Sequence, residues 1–194
     1  MTKTAWIVLG SIGAFVLLVA SYIISTGNTM VTLDEGVNGA WAQVENVYQR
    51  RADLIPNLVN TVKGYAKHEK EVLEEVTKAR ASVGQVHVDN PGDLKKFDQS
   101  QGQLTNALSR LMVVAEKYPE LKADANFRDL QSQLEGTENR ITVERQRFNA
   151  VAQEFNTKIR LFPASFVAAM KGFKERAYFQ ADAGAKTAPK VSFE

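Results

Sequence analysis

The sequence predicts an all-α protein: a single N-terminal transmembrane helix followed by an antiparallel bundle of three long helices and a short C-terminal one. Three observations carry this expectation. Residues 5–24 hold no charge. From Val37 onward, apolar residues recur in alternating steps of four and three, the period of helices packed along a left-handed seam. No stretch alternates with period two for long enough to make a strand.

The first element is the run AWIVLGSIGAFVLLVASYII, twenty residues from Ala5 to Ile24. At 1.5 Å per residue it reaches about 30 Å, the thickness of a bilayer core. Trp6 and Tyr22 stand near its two ends, where amphipathic rings favour the membrane interface. A cleaved secretory signal, cut near Val19-Ala20-Ser21, is the rival reading. The single Lys in front and the length of the apolar run favour an uncleaved anchor. Lys3 lies before the run, whereas the other side carries no Lys or Arg until Arg50. That asymmetry predicts a cytoplasmic N-terminus with the bundle outside the cytoplasm, and with one Lys deciding, the reverse orientation stays open. Residues 1–4 then form a short tail and residues 25–36 a polar linker with Gly27 and Asn28. The bundle takes residues 37–178, and residues 179–194 are a flexible C-terminal tail.

The first bundle helix carries the series Val37, Trp41, Val44, Tyr48, Arg51, Ile55, Leu58, Val62, Tyr65, Glu69, Val72, Val76, Ala79, Val83 and Val86. Thirteen of these fifteen are apolar, too many for chance at this composition. The register holds across Pro56, and a loop would normally reset it, so the spacing predicts one long helix kinked at Pro56. The alternative is a break there, with Asp53 capping a second helix. Val88-Asp89-Asn90-Pro91-Gly92 is a turn by composition. Asp93 opens a second helix with the seam Leu94, Phe97, Gln101, Leu104, Leu108, Leu111, Ala115 and Tyr118. Pro119 starts a new first turn. A third helix carries Phe127, Leu130, Leu134, Ile141, Phe148, Val151, Phe155 and Phe162, and Pro163 ends it. Ala164 to about Tyr178 makes a short fourth helix.

Polar residues interrupt the seams: Arg51, Glu69, Gln101, Thr137 and Glu144. Buried charges must be paired, and Arg51 with Glu144 is one conceivable pair. The simpler reading sets these side chains at the seam's margin, with their polar ends in water.

Composition removes much chemistry. The chain has 194 residues, 24 Lys and Arg against 22 Asp and Glu, two histidines and no cysteine. Disulfides, thiolate catalysis and thiolate metal sites are excluded. Without Lys3 the balance is 23 to 22, which gives no footprint for nucleic acid. His68-Glu69 fails the HExxH template because residue 72 is Val. The ExxH template of di-iron bundles fails as well, since Tyr65 and Gly84 precede His68 and His87 by three. The carboxylates around His68 mix with lysines at helical neighbour spacings, a solvated face. No catalytic, cofactor-binding or metal-ligating residue is assigned, and no cofactor or small-molecule substrate is expected.

The stretch AWAQVENVYQRRADLIPNLVNTVKGYAKHE, residues 40–69, resembles the signature of the LemA family of bacterial membrane proteins. RFNAVAQEFNTKIRLFPASFVAAMKGFKERAYF resembles that family's C-terminal block. The late block departs at Met170-Lys171-Gly172-Phe173, where relatives often carry an aromatic residue before the Gly-Phe pair. The resemblance implies a single-pass membrane protein with a helical bundle, placed here in the bacterial inner membrane. It implies no reaction, cofactor or catalytic residue. Some members are linked to magnetosome membranes and others are encoded beside membrane metalloproteases.

The function expected is that of a non-enzymatic, membrane-anchored scaffold or adaptor. Its partners are the bilayer, through the N-terminal helix, and a membrane protein or another copy of the chain. A ligand- or metal-binding bundle and a membrane-remodelling or self-assembling envelope protein are the alternatives. Arg50, Arg51, Asp53, Asn57 and Asn60 form a polar group beside Pro56 and make the candidate partner surface. A local role competes with it: Asp53 caps, the asparagines satisfy carbonyls freed by Pro56, and the arginines pair with nearby acids. At the C-terminus, Val191 and Phe193 form an apolar tip suited to docking on another protein.

Overall fold

The structure, a computed structural model, describes residues 3–86, 88 and 91–180. These residues form six helices and, among them, no strand: α1 Lys3–Tyr65, α2 Lys70–Val83, α3 Pro91–Ala115, α4 Pro119–Ala123, α5 Ala125–Arg160 and α6 Ala164–Lys171. The all-α expectation holds. The chain divides into two compact units, with boundaries after Asn46, Arg145 and Arg176.

The first unit contains α1 up to Asn46, α5 from Gln146, and α6 with the chain that follows it to Arg176. The apolar start of α1 is long and apolar enough to cross a membrane, and none of its most apolar window is buried against protein. Trp6 and Tyr22 are both exposed. Residues 25–36, expected as a linker, continue the same helix. Their polar side chains do not break it because they are satisfied within it: the hydroxyls of Thr29 and Thr32 donate to the carbonyls of Ser25 and Asn28, one turn back. Thr26, Met30, Val37, Ala40 and Val44 are buried, as are Phe148, Ala152, Phe155 and Ile159 of α5. Trp41 meets Phe148 edge to face at 5.7 Å.

Helix α5 stops at Arg160, and α6 begins just beyond Pro163. Phe162, assigned from its spacing to the seam of the third helix, is therefore off the helix and 78% exposed. Ile159 takes the inward position instead. Helix α6 also ends earlier than its composition suggested. Gly172 adopts the left-handed φ of 76° that favours glycine, and residues 173–180 form no regular secondary structure. That segment is pinned at Arg176 by Asn156, whose amide accepts from the Arg176 N–H and donates to the Arg176 carbonyl, both at 2.8 Å. The Arg176 guanidinium reaches Asp34 at 2.7 Å and Asn38 at 3.1 Å.

The second unit is an up-down-up-down four-helix bundle. Its directions follow from contacts: Tyr48 of α1 meets Phe97 of α3 edge to face, Arg80 of α2 reaches Ala52, and Tyr65 meets Asp124 at the start of α5. Ile55, Leu58, Val62, Leu73, Val76, Leu104, Leu111, Leu121 and Phe127 form the core, each worth roughly 1.5–3 kcal/mol of burial. The seam expected for α3 is inward throughout, from Leu94 to Ala115, with Tyr118 half-buried beyond the helix end.

The first seam needs a correction. Helix α1 does run through Pro56, as expected, so no break with an Asp53 cap occurs there. It ends at Tyr65, however, and a tight turn leads into α2 at Lys70. Tyr65 is exposed and Ala66 is fully buried in its place. The turn spans about as many residues as one helical turn, so the seven-residue phase survives a real reversal of direction. A second small break separates α4 from α5. There Asp124 Oδ1 accepts the Phe127 N–H at 2.9 Å and caps the new helix.

Candidate functional site

Local geometry explains much of the string around Pro56. Proline has no N–H, so the carbonyl one turn earlier, that of Ala52, loses its helical donor. Arg80 of α2 replaces it: its Nε donates to the Ala52 oxygen at 2.8 Å. Asn57 and Asn60, expected in that role, are both exposed, and the Asn57 carbonyl accepts from Thr61 within the helix. Asp53 does not cap a helix either; its carboxylate accepts from Gln49 at 2.8 Å on the outer face.

Arg51 points the other way and belongs to the interior. Its side chain is 6% exposed, with Nη1 3.1 Å from the Glu138 carboxylate on α5. Its Nη2 donates to the Thr105 hydroxyl on α3 at 2.8 Å, and that hydroxyl donates to the Gln101 carbonyl at 3.0 Å. The partner is Glu138 and not Glu144, the conceivable pair, which lies six residues further along α5. Margin positions for the seam's polar residues are also overturned for three of them, since Arg51, Gln101 and Thr137 are all buried. Thr137 is satisfied by the Gln133 carbonyl at 2.7 Å. The Gln101 side-chain amide has no hydrogen-bond partner among the described residues.

A second arginine lies nearby in this unit. Arg145 pairs with Asp98 at 3.0 Å and stacks over the Phe179 ring at 4.4 Å. Burial pushes the Tyr48 phenol above its ordinary value, the Arg145 charge opposes the shift, and Asp98 adds to it. At the far end of the bundle, Tyr65 donates to Asp124 Oδ2 at 2.9 Å. The amide of Phe127 and this hydroxyl hold the Asp124 carboxyl below the usual carboxylate range, and the same bond raises the Tyr65 phenol. Tyr118 donates to Glu69 at 3.2 Å.

The five candidate surface residues therefore separate. Arg50, Asp53, Asn57 and Asn60 are exposed, and their spacing of three, four and three puts them on one face of α1. Arg51 is not part of that surface. Val191 and Phe193 lie outside the described residues. Arg80, Thr105 and Glu138 were missed by sequence reasoning. A proline in a helix announces an unpaired carbonyl four residues back, but nothing local says which side chain answers it.

Among the described residues no group of three or more His, Asp or Glu is placed to hold a metal ion, and His68 is exposed on the turn after α1. An open groove of about 600 Å³ runs between α1 and α2, floored by Val59, Leu73 and Ala81 and edged by Lys63, Lys70 and Lys78.

Comparison with known proteins gives a consistent relationship. The profile of the LemA family matches residues 40–193. The chain is 28% identical over 174 residues to magnetosome protein MamQ 2 of Paramagnetospirillum magneticum, which covers 79% of this chain and 64% of that protein. It is 27% identical over 174 residues to magnetosome protein MamQ of Magnetospirillum gryphiswaldense, covering 78% and 64%. With protein LemA of Metamycoplasma hominis it shares 25% identity over 156 residues, covering 79% and 68%. Its match thus spans 64% of the length of the MamQ relatives.

Proposed function

The chain belongs to the LemA family, and on that premise we propose that it is a membrane-anchored helical scaffold that acts through protein contacts and catalyses no reaction. The apolar start of α1 anchors it in the bacterial inner membrane. Lys3 keeps the N-terminus in the cytoplasm and the bundle lies outside it. Its partner is a membrane protein or a second copy of the chain.

One observation carries the reading: the exposed stripe Arg50, Asp53, Asn57 and Asn60. The core packing of this segment and the satisfaction of its freed carbonyl are performed by other groups, and of the stripe's side chains only Asp53 makes a local contact among the described residues, with Gln49. Arg51, Ile55 and Leu58 face the core, and Arg80 satisfies the carbonyl freed by Pro56. The stripe's residue types are left for contacts beyond the bundle.

The test exploits the absence of cysteine. A photo-cross-linker attached to Asn57→Cys or Asn60→Cys in cells should give a defined adduct. Arg50→Glu should abolish that adduct while leaving thermal unfolding unchanged. No adduct at either position, or an adduct indifferent to Arg50→Glu, would refute the surface. Protease digestion of intact spheroplasts, with a tag after Glu194, checks the side: protection until lysis would reverse the orientation.

A further inference from the structure

We propose that the α5–α6 hairpin is a second membrane contact, seated in the headgroup layer beside the point where α1 leaves the bilayer. This rests on the reading of the α1 start as a membrane anchor. The first unit exposes a compact group of large apolar side chains at this hairpin: Leu161 57%, Phe162 78%, Phe166 71% and Met170 65%. Phe162 and Phe166 pair edge to face at 6.0 Å, so they present one continuous apolar surface. The opposite side of α6 is spent on the protein, since Ala164, Val167 and Ala168 are buried.

Depth decides what covers this surface. The anchor run ends at Ile24. A Cβ at Gly27 would stand 2.5 Å from Lys171 Cε, so the last residue of α6 lies against α1 three residues beyond the run. Three residues of helix rise about 4.5 Å. The headgroup zone extends about 5–7 Å beyond each face of the hydrocarbon core. At the other end of the hairpin, Leu161 lines a groove with Thr29 and Leu33, five and nine residues beyond the run, or about 7.5–13.5 Å of helix rise. The Lys171 end of the exposed cluster is thus fixed at interfacial depth by its contact with α1, and the Leu161 end stands at the outer edge of the headgroup zone.

Charge agrees. Between Thr157 and Glu175 the chain carries Lys158, Arg160, Lys171 and Lys174 against Glu175 alone, and Glu175 is engaged by Arg160 at 3.6 Å. Residues 25–33 of α1 add no charge. Exposed aromatic and aliphatic side chains flanked in sequence by basic residues are the composition of an interfacial element, with anionic lipid headgroups as the matching ligand. The sequence concealed this, because Phe162 falls in phase with the buried seam of α5 and only the end of the helix at Arg160 turns it outward.

The experiment uses the full chain reconstituted in vesicles of phosphatidylethanolamine and phosphatidylglycerol. Single-cysteine variants Phe166→Cys and Met170→Cys carry an environment-sensitive fluorophore. Ile12→Cys, inside the anchor run, and Val113→Cys, exposed on α3, are references. Headgroup and shallow acyl-chain nitroxides should quench positions 166 and 170, aqueous iodide should not, and Val113→Cys should show the opposite. Iodide quenching at 166 and 170 with lipid quenching at 12 would overturn the hairpin contact and leave the anchor standing. Protection from both quenchers at 166 and 170 would place a second copy of the chain on the cluster and also overturn it. Loss of lipid quenching at 12 as well would refute the anchor.

Discussion

Replacing Glu138 with Ala should destabilise the bundle more than replacing Arg51 with Met, although both substitutions delete the same ion pair. The asymmetry follows from exposure, with the Arg51 side chain 6% exposed and that of Glu138 51%. Without Glu138, a guanidinium remains inside the bundle with the Thr105 hydroxyl as its acceptor. Breaking a fully buried pair in that way costs about 3–5 kcal/mol. Water already screens half of Glu138, so the attraction lost is smaller, and the cost here is about 2–3 kcal/mol. Arg51→Met instead removes the buried charge and keeps a chain of similar length against the core. Glu138 returns to solvent, and Thr105 keeps its bond to the Gln101 carbonyl. That substitution should cost about 0–1 kcal/mol.

The assay is urea unfolding of the full chain in mild detergent, followed by far-ultraviolet circular dichroism. With a slope of about 2 kcal/mol/M, the two midpoints should differ by about 1 M. The double variant should fall at the Arg51→Met midpoint, because no buried charge is left to strand. Arg51→Met losing as much as Glu138→Ala would refute the reasoning, since it would mean that the pair's attraction exceeds the cost of dehydrating Arg51.

Three further outcomes are expected. Arg80→Met should cost about 1–2 kcal/mol by orphaning the Ala52 carbonyl; in a Pro56→Ala background it should cost almost nothing, because the new N–H reclaims that oxygen, and equal losses in both backgrounds would sink the idea. Tyr48 has a raised folded value, so its contribution is full below the ordinary tyrosine value of 10.0 and is lost as pH rises through the folded value; Tyr48→Phe should flatten the alkaline fall in midpoint, measured by thermal melts across that range. Gln101→Met should raise stability by about 1–3 kcal/mol, since it removes a buried amide that has no partner among the described residues; a lower urea midpoint would contradict this.

The periodicity revealed which face of each helix turns inward, and did so best where one helix runs uninterrupted, as from Leu94 to Ala115 on α3. It was blind to continuity. The steps Val62, Glu69 and Val76 keep a seven-residue spacing across the reversal between α1 and α2, because that turn replaces about one turn of helix. Phe162 keeps phase with Phe155 although α5 has already ended. The candidate surface was half legible for a related reason. Arg50 and Arg51 are neighbours in sequence and about 100° apart around the helix, so one faces water and the other the core. Only the seam assignment distinguishes them, and a charged residue in a seam reads as easily as a margin position. Arg80 and Glu138 come from distant segments whose heights on the bundle a single sequence does not fix.

Those polar contacts supply something the apolar seam does not. A seam of Val, Leu and Ile repeating every seven residues presents nearly the same surface after a slide of one repeat, about 10 Å along a helix. Burial alone therefore separates the correct height poorly from its neighbours. Hydrogen bonds to single atoms separate it sharply. Arg80 answers the Ala52 carbonyl that Pro56 leaves without a helical donor, which sets α2 against α1. Arg51 finds Thr105 and Glu138, which sets α3 and α5 against α1. Arg145 with Asp98 sets α5 against α3. Each bond contributes little net stability; a slide of one repeat would leave the Ala52 carbonyl and the Arg51 charge unanswered together. The proline that weakens α1 locally is thus the feature that makes one height unique, and the same register holds Arg50, Asp53, Asn57 and Asn60 outward as a fixed stripe.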